Sequence, residues 1–218
     1  MHRVILFLSL IPLLAAIILR RFNGDRILRR DGQELLTTPA EQTARKMLNA
    51  MGHENVELKH ARSPWAILGS SSKSVVELPD YTRGKRHPGT VESHAHAALC
   101  VAIFLLSERE PQLAGKRVWA LRFGHVFPVF TVICVVFALV VGKLPALWGL
   151  SIIVGSLGLA ACAQVLTLAC ELRAATLASV VLEKKRIFPR FSDEEIVVPA
   201  IRAQAWRAIV PGLLARLM

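Results

Sequence analysis

The chain is poor in the residues that mark several common activities. Tyr81 is its only tyrosine, which argues against an aromatic platform for stacked bases. Its four cysteines, Cys100, Cys134, Cys162 and Cys170, form no CxxC pair and no secreted-type disulfide framework. All four fall in apolar helical stretches, so buried, reduced thiols are expected. No Walker loop, dinucleotide fingerprint or GxSxG elbow is present. Acidic residues are also outnumbered, 16 Asp and Glu against 27 Lys and Arg, which leaves a net charge of +11.

The most telling absence is that of charge from three long stretches. Val4 to Leu19 is apolar apart from Ser9, and Val126 to Gly142 and Leu144 to Cys170 carry no charged residue at all. The apolar fraction of 53% and mean hydropathy of +0.45 are high for a soluble globule. A bilayer core takes about 20 apolar residues in a helix. The third stretch meets this length, the second does so if it starts near Phe123, and the first does so counted from Met1. The first reads as an uncleaved anchor rather than a signal peptide. Only Arg3 precedes it, no small-residue cleavage site follows, and Arg20, Arg21, Arg26, Arg29 and Arg30 come directly after it. The second and third hold no ionisable group away from their ends and only Gln164 as a strongly polar side chain, which argues against a pump or channel.

What is present then falls into place. The basic residues flank the apolar stretches: Arg20 to Arg30 after the first, Lys116, Arg117 and Arg122 before the second, Lys184-Lys185-Arg186 after the third. That is the positive-inside pattern of a membrane protein, and without interleaved aromatics it does not favour nucleic acid as a partner. It predicts the chain start outside, residues 20–122 in the cytoplasm, and Gly142-Lys143-Leu144-Pro145 as a tight external turn. Gly149, Ser151, Gly155, Ser156, Gly158, Ala160 and Ala161 should let spans two and three pack closely as a hairpin. The expected fold is a mainly α membrane protein. It comprises an anchor (1–19), a small α+β cytoplasmic domain (20–122), a transmembrane hairpin (123–170) and cytoplasmic or interfacial C-terminal helices (171–218).

Within the cytoplasmic segment, Thr38-Pro39-Ala40-Glu41 reads as an N-cap, a first-position proline and a capping-box glutamate. Ala44, Met47, Leu48 and Met51 follow at helical spacing, and Gly52 is a stop signal. Val56 to His60 and Lys73 to Leu78 are strand candidates. Gly69 to Ser72 is turn-like and could join the second of these to an extended Trp65 to Leu68. A helix is expected from about Gly89 to Ser107. Another should continue from Glu171 toward Lys185. Ser192-Asp193-Glu194-Glu195 suggests a second capping box, before a last helix with Trp206, Ile209, Val210, Leu213, Leu214 and Leu217 on one side. Pro211 and the shortness of its apolar run make that helix interfacial or packed on protein.

The chemistry-bearing stretch is Thr90-Val-Glu-Ser-His-Ala-His-Ala-Ala-Leu-Cys100, with Glu92, His94 and His96 at the head of an apolar helix. The order of anchor, capped helix (Thr38 to Gly52), short β region (Val56-Glu-Leu, Lys73 to Leu78), this helix, paired spans, Glu171-Leu-Arg-Ala-Ala175 and Asp193 to Trp206 resembles the YugP-like family. These are bacterial membrane-bound neutral zinc metallopeptidases. The resemblance covers nearly the whole chain and implies a zinc site and a place in the bacterial cytoplasmic (inner) membrane. In HExxH, two histidines four apart on one helix face bind zinc and the adjacent glutamate is the general base. No HExxH occurs here, and two registers are open. In one, His94 is the first ligand, Ala95 replaces the base and Ala98 the second histidine. In the other, Glu92 and His96 are the ligand pair at the correct spacing and Ser93 replaces the base. The resemblance offers Glu171 as a third ligand. His94 and His96 cannot act together, since two residues is about 200° around a helix. Arg173 stands where the family has an acidic or amide residue, and it disfavours a nearby cation.

Each residue also has a structural reading. Glu92 favours the positive end of a helix dipole, His94 and His96 are ordinary polar residues near a helix start, and Glu171 is a span-end residue facing water or paired with Arg173 or Arg122. The expectation is therefore a pseudo-enzyme that keeps the membrane scaffold, has no catalytic residues, and binds a partner, a client or an active paralogous peptidase. Two alternatives stand beside it. One is a divergent zinc-dependent peptidase using Glu92, His96 and Glu171, with a base such as Glu108 or Asp80. The other is a structural membrane protein unrelated to peptidases.

Overall fold

The computed structural model describes residues 2–61, 75–79 and 87–210. It is mainly helical, with one small sheet. Helix α1 (His2–Arg20) runs without interruption into a five-residue π-turn (Arg21–Asp25) and a short helix α2 (Arg26–Arg30). Helix α3 (Ala40–Ala50) follows, and Gly52 ends it at φ +82, where the His53 N–H reaches the Leu48 carbonyl at 2.9 Å. Glycine takes that left-handed conformation without steric cost, so the expected stop signal acts as such. The start differs from expectation. Pro39, not Thr38, is the N-cap, and no side chain caps the helix. The Ala40 N–H instead binds the Pro88 carbonyl at 2.9 Å, so a neighbouring loop does the work expected of Thr38.

Strands β1 (Glu57–Ala61) and β2 (Val75–Pro79) pair in parallel with Leu58 opposite Val76. A parallel pair needs a long crossover; the expected extended Trp65 to Leu68 and the Gly69 to Ser72 turn lie outside the described residues. Helix α4 (Val91–Arg109) comes next, set two residues later than expected at each end. Its first turn is fully served. The Thr90 side chain accepts the Ser93 N–H at 3.3 Å, and the Glu34 and Gly32 carbonyls accept the Val91 and Glu92 N–H groups at 3.0 Å. The segment after α2 is thereby strapped across the start of α4, with a Leu35–Thr90 bridge in the middle.

Helices α5 (Pro111–Val140) and α6 (Ala146–Lys185) form an antiparallel hairpin that turns at Gly142, φ +71. At 1.5 Å per residue α6 is about 60 Å long, roughly twice a bilayer's hydrocarbon core, so part of it must lie beyond any membrane that its apolar half crosses. Helix α7 (Phe191–Arg207) packs back on α4 and α6. The expected Ser192 capping box does not form: α7 starts at Phe191 with Arg190 as N-cap and no side-chain cap. Helix α7 stops at Arg207, short of the expected Leu213 to Leu217 face, which lies outside the described residues.

Among the described residues three helices, α4, α5 and α6, are long and apolar enough to cross a membrane. They divide by burial. A helix apolar on every side is either a protein core or a span, and α4 is the core: α3, β2, α5, α6 and α7 enclose it. Most of α5 instead shows its apolar side chains to the outside. Phe130, Ile133, Phe137 and Val140 are exposed there, as are Leu150, Leu159 and Leu166 on α6 and Phe7, Ile11, Leu14 and Ile18 on α1. Soluble monomers rarely expose an apolar surface so continuous. Cys134 and Cys162 lie exposed on it, contrary to the expectation of buried thiols; Cys170 is buried and Cys100 half-buried.

The small residues of α6 serve two neighbours rather than one. Gly149 faces Val135 and Leu139 of α5, as a hairpin requires. Gly158 faces α1, where a Cβ would come within 2.7 Å of the Ser9 carbonyl oxygen. Farther along, Leu13 and Ala16 cluster with Ala161, and Ile17 and Leu168 pack against that cluster, so α1 and α6 run side by side in the same direction.

Candidate functional site

The site that the sequence points to is the first turns of α4 and what surrounds them. Glu92 opens the helix and is buried. Its carboxylate accepts a hydrogen bond from Arg207 Nη1 at 2.6 Å, and Arg207 Nε donates to Asp25 at 2.8 Å. Asp25 in turn pairs with Arg20 at 3.4 Å. The result is a chain of alternating charge, Arg20, Asp25, Arg207, Glu92, which ties together α1, the π-turn, α7 and α4. Gly24 makes it possible: it is buried against the Ala203 carbonyl of α7, at 3.0 Å from where a Cβ would stand.

His94 lies fully buried on another face of α4. Its Nε2 donates to the Thr38 carbonyl at 2.8 Å, and its Nδ1 accepts from the Thr43 hydroxyl at 2.8 Å. A carbonyl can only accept, which fixes the neutral tautomer with the proton on Nε2. Burial pushes the pKa of His94 below its ordinary value, more than the Thr38 carbonyl and nearby Asp193 push it up. Phe188 closes the pocket edge-on at 5.7 Å between ring centres. His94 thus joins α3 to α4 with both ring nitrogens engaged.

Glu171 sits on α6, 1% exposed, and accepts from Arg117 Nε of α5 at 2.6 Å. The expected partners were Arg173 or Arg122; Arg173 instead reaches the exposed Glu110 at 3.0 Å. Arg117 shares the buried face of α5 with Ala120, Leu121, Gly124 and Pro128. Gly124 receives Gln164, whose Nε2 would lie 2.6 Å from a Cβ there. Cys100, one turn of α4 beyond His96, senses both Arg117 and Glu171, and burial pushes its thiol up to about 12. That makes it a poor nucleophile at neutral pH.

The four sequence-proposed ligands therefore have distinct surroundings. Glu92 and His96 share one face by their spacing, but Glu92 is engaged by Arg207, Glu171 by Arg117, and His94 by α3. Among the described residues no group of three or more His, Cys, Asp and Glu side chains could hold a metal ion. Two carboxylates already held by guanidinium groups, with a single half-buried imidazole beside one of them, do not fit a resident zinc ion, which wants uncompensated anionic or neutral nitrogen donors.

Sequence reasoning missed Asp25, Arg207, Arg117 and Thr43. Signals for the two arginines exist. Arg117 precedes Ala120, Leu121 and Gly124 at helical spacing, and Arg207 follows Ala200 and Ala203 likewise, so both extend small-residue faces made for close packing. Comparison with family models, with curated proteins and with solved structures finds no match to this chain.

Proposed function

We propose that this chain is a membrane-embedded pseudo-enzyme of zinc-metallopeptidase ancestry, which keeps the scaffold of the YugP-like peptidases and acts by binding a membrane-protein partner or client. The observation that carries the reading is the fate of the two carboxylates at the family's ligand positions. Glu92 and Glu171 each hold an arginine at 2.6 Å. A guanidinium supplies the positive charge that a metal would supply, but it is no Lewis acid and activates no water. Neither Ser93 nor Ala95 can act as the base in its register.

The same reading places α1, α5 and α6 across the bacterial cytoplasmic membrane with the α3–α4–α7 domain on the cytoplasmic side. It is supported by the level of the charged groups. Arg20 on α1 and the Arg117–Glu171 pair of α5 and α6 lie toward one end of the helix group, and the Gly142 turn, with Lys143 as its single charge, lies at the other. Trp119, Phe123 and Phe127 stack in sequence at 5.4 and 4.8 Å where α5 changes from charged to apolar, as aromatic residues do at membrane interfaces.

Elemental analysis of the full chain in mild detergent tests the reading, beside Glu92→Ala, His96→Ala and Glu171→Ala. The expected result is less than a tenth of an equivalent of zinc in every sample, as an order of magnitude set by adventitious metal. Stoichiometric zinc, lost in the three variants, would favour a divergent Glu/His/Glu metallopeptidase and end the pseudo-enzyme reading. Rebuilding HExxH in each register, with Arg117→Ala and Arg207→Ala to free the carboxylates, tests ancestry. Zinc capture in one register only identifies the alignment, and capture in neither removes the kinship.

A further inference from the structure

The stretch that leaves α1 carries five arginines, and the structure uses only some of them internally. Arg20 turns inward to Asp25. Arg21, Arg26, Arg29 and Arg30 are exposed. Of these only Arg30 makes an ion pair with a described residue, a solvent-exposed one with neighbouring Asp31 at 3.6 Å.

The π-turn decides where these four point. In an unbroken α-helix, Arg21 and Arg26 would stand about 140° apart, at 100° per residue. The π-turn closes with the Arg26 N–H on the Arg21 carbonyl. This wider i→i+5 turn brings the two within roughly 60° of each other. Arg29 and Arg30, three and four residues further, continue the same side. The π-turn thus collects four arginines into one stripe about 13 Å long at 1.5 Å per residue.

The stripe prolongs an apolar one. Phe7, Ile11, Leu14 and Ile18 are exposed along α1 at helical spacing, with Phe22 of the π-turn beyond them, and the arginines join the exposed face from Arg21 onward. A face that is greasy for about 20 Å covers the acyl layer of one leaflet, about 15 Å, and a cationic stretch of about 13 Å then reaches through its headgroup layer of about 5–8 Å. We infer that Arg21, Arg26, Arg29 and Arg30 form a binding surface for the phosphate headgroups of anionic phospholipids, which holds α1 and the π-turn in register with the membrane surface. The inference rests on the membrane placement proposed above. Such a surface attracts anionic lipid through charge, and each arginine near the surface should add about fivefold to the affinity, less at high salt.

The test uses the full chain, purified in neutral detergent and titrated with phosphatidylglycerol or phosphatidylcholine, with bound lipid counted by native mass spectrometry. The comparison is with a variant carrying Arg21→Gln, Arg26→Gln, Arg29→Gln and Arg30→Gln, and with one carrying the four lysine replacements. Phosphatidylglycerol should bind the native chain at least tenfold better than phosphatidylcholine. The glutamine variant should lose that preference, and the lysine variant should keep most of it. Equal binding of the two lipids by the native chain, or an undiminished preference in the glutamine variant, overturns the inference. Carbonate extraction of membranes from expressing cells separates the two levels. A chain washed off by carbonate loses the membrane placement itself. A chain that stays in the membrane but shows no lipid preference loses only the headgroup surface.

Discussion

Glu171 is the residue on which most depends. It is buried and charged, and its stability is bound to Arg117. Breaking a buried pair by removing one partner typically costs about 3–5 kcal/mol, whereas replacing both with apolar residues of similar volume is often neutral. Arg117→Ala should therefore lower the unfolding temperature in mild detergent far more than the paired change Arg117→Met with Glu171→Leu. Equal losses in the two would mean that the stranded carboxylate is not the source of the cost. His94 gives a pH signature. Its folded pKa lies below the unfolded value of about 6.5, so above that pH it makes no difference to stability. As pH falls through 6.5 and below, the unfolded chain takes up a proton that the folded one refuses, and stability is lost until the folded pKa is passed. Denaturant melts between pH 7.5 and 5 should show a shallower decline in His94→Gln than in the native chain; identical slopes would remove His94 as a contributor. These residues were only half legible. The spacing of Glu92 and His96 on one face could be read from five letters, but the arginines and threonine that engage the candidate ligands come from positions 51 to 115 residues away. No local pattern reports such pairings.

At the level of elements, local chemistry was the better guide. Gly52 and Gly142 ended helices where glycine can turn left-handed, and α6 continued through Glu171 as the unbroken helical pattern required. Caps were misjudged where the rest of the fold supplied a donor or acceptor first, as Pro88 does for Ala40. The small residues of α6 were read as a seam for α5 alone because the sequence does not say how many neighbours a small face meets. That second seam is testable. Gly155 would place a Cβ 3.7 Å from Ser9 Oγ. In a background with the four native cysteines changed to alanine, Ser9→Cys with Gly155→Cys should cross-link under mild oxidation. Adding Gly158→Leu should abolish the cross-link, because its side chain occupies the space of the Ser9 backbone. A cross-link that survives this change would mean that α1 does not rest on Gly158.

For the molecule as a whole, the apolar stretches pointed to a membrane protein, and two of the three fall in α5 and α6, which are long and apolar enough to cross one. The reading of the sequence kept the α4 segment in the cytoplasmic domain and out of the spans, and the ring of elements around α4 makes it core. The topology proposed here predicts that a periplasm-active reporter fused after Arg30 is silent, while one inserted at Lys143 is active. The opposite pattern would invert the whole arrangement and place the arginine stripe outside.

The chain of charge from Arg20 to Glu92 also imposes an order in time. Asp25 emerges early in synthesis and Arg207 lies 182 residues later, which at ribosomal speeds of about 5–20 residues per second is roughly ten to forty seconds. Throughout that interval α4 lacks the helix that covers it. A nascent chain that stalls before Arg207 leaves Glu92 and Asp25 without the cation that joins them and a core face open. Helix α7 is thus the late-made latch on α4.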